Sequence, residues 1–319
     1  MKTSLADKLL ETGCITQSEH EIILQKQPIS VHWDLRSLLY LGVLLVTTSI
    51  GILIYKNIDS IGHDALLIII AVLMCACFAW CFKNAKGYRP TKINSMSIWS
   101  DYILLTGCLL LLTLIAYLQF QYEFFGNRLG LALFIPMILL FIKAYYFDHI
   151  GVLSLAITNL AAWAGIAITP TKLLAENNFS EERIMFTGLA LGVLLIILAI
   201  FSTRKNIKAH FAFTYKNFGI NLLFICMLSI LFYYEPIYLL NFLIFAVVAW
   251  FVYKICVKSS TYLLVISILY FYIGLSYVAV RLLSFESAAS LYSILLYFIL
   301  SGIGLIMVFK NLQKKIKTQ

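Results

Sequence analysis

Residues 185–216 read MFTGLALGVLLIILAIFSTRKNIKAHFAFTYK. An uncharged apolar run from Met185 to Ser202 gives way to Arg204, Lys205 and Lys208, and a second apolar run opens at Phe211. A hydrocarbon core about 30 Å thick is crossed by roughly 20 helical residues rising 1.5 Å each, so this stretch predicts two membrane spans joined by a short basic connection. The same alternation recurs on both sides of it. Ten windows can be drawn: Leu38–Tyr55, Ala65–Phe82, Trp99–Phe120, Leu129–Phe147, Ile150–Thr169, Met185–Ser202, Phe211–Tyr233, Ile237–Tyr253, Ser260–Leu283 and Ala289–Phe309. A chain that is 62% hydrophobic and only 12% charged cannot hide those side chains in a water-soluble core, which leaves lipid as their solvent. The expected fold is an all-α, polytopic transmembrane helix bundle of ten spans, preceded by a short N-terminal cytoplasmic helical hairpin.

Lys and Arg are retained on the cytoplasmic side during insertion, and here they sort by connection. With the N-terminus inside, only Lys56, Arg128, Lys172, Arg183 and Arg281 fall on the outer side of the serpentine path. The C-terminal Lys310, Lys314, Lys315 and Lys317 stay inside only if the number of spans is even. The expected localisation is therefore a bacterial inner (plasma) membrane with both termini cytoplasmic. The net charge of +9 is first a topology signal; the basic inner face would also attract anionic lipid headgroups, and no nucleic acid is needed to explain it. The first 37 residues show no short apolar stretch followed by a small-residue cleavage site, so no removable signal peptide is expected.

Charges also sort along each helix. Asp101, Asp148, Glu182 and Glu235 stand at starts of spans, whereas Lys56, Lys83, Lys143, Arg204, Lys254, Arg281 and Lys310 stand at ends. Exposed N–H groups make a helix start partly positive and exposed carbonyls make its end partly negative, so Asp101, Asp148 and Arg281 read as helix-terminus charges. No Asp, Glu, Lys, Arg or His falls near the middle of a span, although proton relays and ion-coupled carriers usually need one. The polar groups that reach the interior are uncharged: Asn159 with Thr158, Asn221, Asn241 and Ser276. Amides in lipid mostly join helices, and Asn159, Trp163 and Asn241 are the candidate interior or pathway residues. The fifth span also carries a small-residue stripe of Gly151, Ser154, Thr158, Ala161, Ala162 and Gly165, which suits a central helix. Gly188 and Gly192 form a G-x-x-x-G pair, and Pro136 should kink the fourth helix.

No catalytic residue, cofactor site or metal site is expected, and the chain does not read as an enzyme. H-E-x-x-H, G-x-S-x-G, P-loop and dinucleotide-turn motifs are absent, and the five histidines are scattered. Cys75, Cys77 and Cys81 cluster without a His or carboxylate beside them and read as small apolar residues.

Residues 1–36 form the expected cytoplasmic unit, residues 37–310 the ten-span domain and residues 311–319 a basic tail. Leu5, Leu9 and Leu10 make a stripe ending at Thr12 and Gly13, and Thr16 with Glu19 reads as the capping box of a second helix. Two short amphipathic helices cannot hold a core alone, so the hairpin should pack on the membrane domain, on lipid or on a protein partner.

The sequence LLETGCIT at residues 9–16, the first span LGVLLVTTSIGILIYKNIDSIG and the later DYILLTGCLLLLTLIAYLQFQYEFFGNRLGLALFIPMILL resemble a bacterial family of predicted membrane proteins, domain of unknown function 2157. That family's first span typically runs into Asn-Trp; here Tyr55-Lys56-Asn57-Ile58 keeps the Asn and lacks the Trp. The resemblance covers about the first half of the chain. It implies an inner-membrane helix bundle and brings no activity or catalytic residue with it. The hairpin also resembles the small SHOCT-type helical pairs attached to membrane proteins. Two function classes lead: an envelope-associated scaffold or sensor using the hairpin, and a transporter or channel for a neutral or apolar small molecule, similar in outline to ten-span drug/metabolite transporters.

Overall fold

The computed structural model describes residues 13, 16–17, 31–85, 87–91, 98–126, 128–168, 182–255, 260–284 and 288–317. Among them the secondary structure is entirely helical. Ten α-helices follow in order: α1 Val31–Ile61, α2 His63–Lys83, α3 Ile98–Tyr122, α4 Leu129–Phe147, α5 Ile150–Ile168, α6 Glu182–Lys205, α7 Ala212–Tyr233, α8 Tyr238–Ile255, α9 Thr261–Leu283 and α10 Ala288–Lys317. Short 3-10 turns at Ala209–Phe211 and Glu235–Ile237 lead into α7 and α8. Eight of these helices, all but α1 and α5, are long and apolar enough to cross a membrane. The apolar stretches of α1 and α5, Ser37–Leu53 and Ile150–Ile166, are shorter. Helices suit this composition because every backbone donor and acceptor is satisfied within the segment, as hydrocarbon requires. Of the expected N-terminal hairpin, residues 1–36, the described residues are Gly13, Thr16, Gln17 and 31–36, the last six belonging to α1, and the end of the basic tail lies outside the described residues.

The chain divides into two compact units, Met1–Ile69 and Ile70–Gln319. In the first, α1 presents Leu38, Leu41, Leu44, Leu45, Ile50 and Leu53 outward. Its polar Thr47 and Thr48 fold their hydroxyls back onto the carbonyls of Val43 and Leu44, which hides them from an apolar medium. Leu66, at the start of α2, donates its N–H to the Gly62 carbonyl across the break between the two helices.

The second unit has two clusters of buried side chains. One gathers Cys81, Leu104, Cys108, Leu140, Ala144, Val152, Leu153, Ala156 and Ile157 with Leu195, Ala199 and Tyr215. The other gathers Ile220, Leu223, Phe224, Met227, Leu228 and Leu231 of α7 with Ile196, Phe245, Val252 and Leu263. Helices α6 and α7 contribute to both, and their crossing is made by glycines. A Cβ on Gly192 would stand 2.9 Å from the Leu223 nitrogen and 3.0 Å from the Gly219 carbonyl oxygen, and one on Gly219 would stand 2.9 Å from the Gly192 carbonyl oxygen. In lipid there is no hydrophobic force between helices, so this backbone approach supplies the dispersion and Cα–H···O contacts that hold the pair. Gly188 meets the Cys226 side chain one turn away. The Gly188/Gly192 pair read from the sequence is thus a packing seat.

The small-residue stripe of α5 takes a different part from the one expected. Val152, Leu153, Ala156 and Ile157 are its core residues, whereas Thr158 and Ala162 are exposed and a Cβ on Gly165 would meet open space. Val152, Leu153 and Ile157 fill the core with the small Ala156, and Gly151 sits against the His149 and Leu105 side chains. At the other end of the chain, α10 buries none of its Leu291–Lys310 window. Its polar contacts to α9 are Ser276 Oγ with Tyr297 OH at 3.1 Å and Tyr272 OH with Ser301 Oγ at 3.0 Å. A face of exposed Leu, Ile, Phe and Met this large fits a hydrocarbon surround.

Candidate functional site

Two places in the second unit concentrate chemistry, one at each end of α4. The first is built on the corner between α4 and α5. Asp148 adopts the left-handed conformation, φ 59°, and its N–H returns to the Ala144 carbonyl, closing α4. His149 caps the next helix: its Nδ1 accepts the Val152 N–H at 3.1 Å. Asp148, expected as a charge at the start of the fifth span, therefore ends the fourth, and His149 does the capping. The aspartate is used otherwise. Its Oδ1 lies 2.9 Å from Lys208 Nζ and 2.7 Å from His210 Nε2. Lys208 is fully buried and Asp148 nearly so, while His210 keeps partial access to solvent.

Lys208 reaches that position from an unusual connection. Asn206 and Lys208 both have positive φ, 54° and 50°, conformations that non-glycine residues adopt at a cost. The cost is offset by bonds that over-determine the turn. Ser202 donates its hydroxyl to the carbonyls of Ile207 and Lys208 at 2.8 and 3.1 Å, and the Lys208 N–H donates to Pro90 at 2.8 Å. Tyr145 and Tyr215 share a hydrogen bond of 2.9 Å beside it, and Phe211 packs edge-on to Tyr145. On the same helix as this corner, the Lys143 ammonium lies 3.3 Å from the centre of the Phe78 ring, a cation–π contact that stabilises a charge in low dielectric. Nothing in the sequence spacing pairs Asp148 with Lys208. His149 and His210, far apart in the sequence, each contribute to this corner, His149 through Val152 and His210 through Asp148.

The second place is a cavity of about 710 Å³ lined by Leu112, Ala116, Gln119 and Phe120 of α3, by Leu129, Ala132, Leu133 and Pro136 of α4, and by Glu123, Gly126 and Ile166. Pro136 lacks the N–H that would bond back to the Ala132 carbonyl, and both residues line the cavity. The same turn is tied to α5: Asn159 Nδ2 donates to the Leu133 carbonyl at 3.1 Å. Asn159 thus joins helices and stands behind the cavity wall. Trp163, one turn further, packs on Phe134 with ring centres 5.3 Å apart and approaches Gly130, where its Nε1 would be 3.8 Å from a Cβ. It is a packed aromatic. The α3–α4 turn borders the cavity, and in it Gln119 donates Nε2–H to the Gly126 carbonyl and accepts the Phe125 N–H, both at 3.0 Å.

The remaining candidates are Asn241, Asp101 and Arg281. Asn241 is half-buried near the start of α8, and its Nδ2 is buried without a hydrogen-bond partner among the described residues. Asp101 sits in the first turn of α3. Arg281, in the last turn of α9, pairs with Glu235 before α8 at 2.5 Å, both side chains being substantially exposed. Asn221, read as an interior amide, accepts from Tyr270 OH at 2.9 Å and so ties α7 to α9. The tyrosine partners of these polar groups were not singled out by the sequence, because a hydroxyl on an aromatic ring carries no spacing signal.

Neither the curated proteins nor the solved structures offer a match to this chain. The chain is a membrane protein with several apolar helices, and the family described as "Predicted membrane protein (DUF2157)" covers its residues 7–153, the segment that ends within the first turn of α5.

Proposed function

We propose that the protein is a bacterial inner-membrane protein that crosses the bilayer ten times, with both ends in the cytoplasm, and that it binds an apolar small molecule in the cavity between α3 and α4. The apolar stretches of α1 and α5 rise about 26 Å, close to the hydrocarbon thickness, which supports counting them as spans. The division of Lys and Arg between alternate connections supports the orientation. A phosphatase reporter active only outside the cytoplasm checks this: silence after Lys317 and activity after Gly126 are expected, and the reverse pattern overturns it.

The observation carrying the binding reading is the cavity itself, whose volume falls in the range of about 300–1,000 Å³ typical of small-molecule sites. Its lining is mostly hydrocarbon, and the chain carries none of the catalytic motifs sought in it, so binding or passage of a ligand is favoured over catalysis. Calorimetric titration of the protein in phosphatidylcholine vesicles with dodecylglycerol, a neutral single-chain probe, should give saturable binding. Ala132→Phe should abolish it by filling the void. Equal binding by a folded Ala132→Phe variant, or no saturable binding by the unaltered protein, defeats the reading.

A second reading is supported by the start of the family match at residue 7, which puts most of residues 1–36 within the matched segment. In it, residues 1–36 recruit a protein partner to the cytoplasmic face, and the helix bundle is a scaffold or sensor. Pull-downs with and without residues 1–36 test it; unchanged partners after the deletion count against it.

A further inference from the structure

We infer that the α3–α4 cavity takes a single-chain amphiphile with an ammonium head, its chain lying among the apolar walls and its charge at Glu123. This rests on the binding reading above and adds the identity of the head. The depth fits one leaflet. Leu112 lies about 15 Å below the end of α3 at 1.5 Å per residue, half of a hydrocarbon core about 30 Å thick.

The rim supplies the sign of the charge. Two polar side chains line the cavity, Gln119 and Glu123. Both ends of the Gln119 amide are occupied by the turn, through Gly126 and Phe125. The Glu123 carboxylate is exposed and meets no donor or cation among the described side chains. Arg128, at the start of α4, is also exposed, lies outside the lining and makes no ion pair with it.

Like Asp148 at the end of α4, Glu123 departs from the rule that most of the other charges follow. It stands just past the C-terminus of α3, where unpaired carbonyls already make the field negative and where Lys83, Arg204 and Lys254 put a base on other helices. Its backbone is held at φ 46°, the left-handed region, with its N–H on the Gln119 carbonyl at 3.1 Å and its carbonyl accepting from Gly126 at 2.6 Å. The turn thereby fixes a carboxylate at the lip of an apolar cavity, against both the helix field and the backbone preference. A cation bound there relieves the electrostatic part of that cost. An anionic head is repelled, and a neutral one gains nothing from the carboxylate.

The test compares dodecylammonium, dodecylglycerol and dodecyl sulfate on the full chain in phosphatidylcholine vesicles, with Glu123→Gln, Ala132→Phe and a second wall variant, Ala116→Phe. Dodecylammonium should bind about three- to fivefold more tightly than the neutral probe, as an exposed charge pair allows, and dodecyl sulfate should bind most weakly. Glu123→Gln should erase the order while leaving binding of the neutral chain. Chain binding without a charge preference, or a preference that survives Glu123→Gln, overturns the head assignment and leaves the cavity reading standing. No chain binding, or binding unaffected by both phenylalanine variants, overturns the cavity reading itself. Lipids retained from mixed phosphatidylethanolamine and phosphatidylglycerol vesicles separate the sources. Enrichment of the ethanolamine lipid that Glu123→Gln removes makes the ligand a bilayer lipid, and its absence beside dodecylammonium binding makes it a free amphiphile.

Discussion

The Asp148 carboxylate and the Lys208 ammonium lie 2.9 Å apart with 1% and 0% of their side chains exposed, so an ion pair welds the α4–α5 corner to the α6–α7 connection away from water. Removing one member of a buried pair strands the other and costs about 3–5 kcal/mol, whereas replacing both by apolar groups is often neutral. Asp148→Asn strands the Lys208 ammonium and takes the carboxylate from His210, while Lys208→Met leaves Asp148 with His210. The expected order of melting temperature in detergent is therefore unaltered chain, then Lys208→Met, then Asp148→Asn. The double variant should stand above Asp148→Asn alone. Equal melting temperatures throughout would show that water reaches the pair.

Gly192→Ala places a methyl group 2.9 Å from the Leu223 nitrogen. Backbone cannot yield as a side-chain tip can, so α6 and α7 must separate, at about 1–3 kcal/mol. Gly302→Ala, with nothing within 4 Å of the new atom, is the control and should leave the melting temperature unchanged or slightly raised. Indistinguishable variants would mean that the crossing tolerates displacement.

Asn159→Leu removes the donor that holds the Leu133 carbonyl. Interhelical side-chain bonds in lipid average about 0.6 kcal/mol and reach about 1.7. Pro136→Ala restores a donor to the neighbouring Ala132 carbonyl and none to that of Leu133, so the two substitutions should act additively. Recovery of the Asn159→Leu loss by Pro136→Ala would show that the amide and the proline turn act as one unit.

Glu235 and Arg281 give the contrasting case. Their pair is short but open to solvent, at 63% and 39% side-chain exposure, and long side chains held there lose as much freedom as they gain in attraction. Glu235→Gln should leave the melting temperature unchanged at low and high salt. A drop that salt abolishes would show that α8 and α9 depend on this link.

The helices were legible in the sequence because hydrocarbon makes one demand, about 20 apolar residues at a time, and breaks at Gly62, Asp148 and Tyr234 interrupt it visibly. Asn159 and Trp163 were legible as residues that matter, and their neighbours were not, because the Leu133 carbonyl and the Phe134 ring belong to a helix read as uniformly apolar. The pairing of Asp148 with Lys208 was hidden by its length in sequence and by a left-handed lysine that no propensity favours. The cavity was hidden for a related reason: Pro136 announced a bend, and a bend does not say whether side chains or empty space will fill it.

Because α6 and α7 belong to both sets of buried side chains and meet through Gly192 and Gly219, neither set can come apart while the other stays whole. Hydrogen exchange along these two helices should be the slowest in the chain and should collapse in a single cooperative step, whereas α10 exchanges ahead of it.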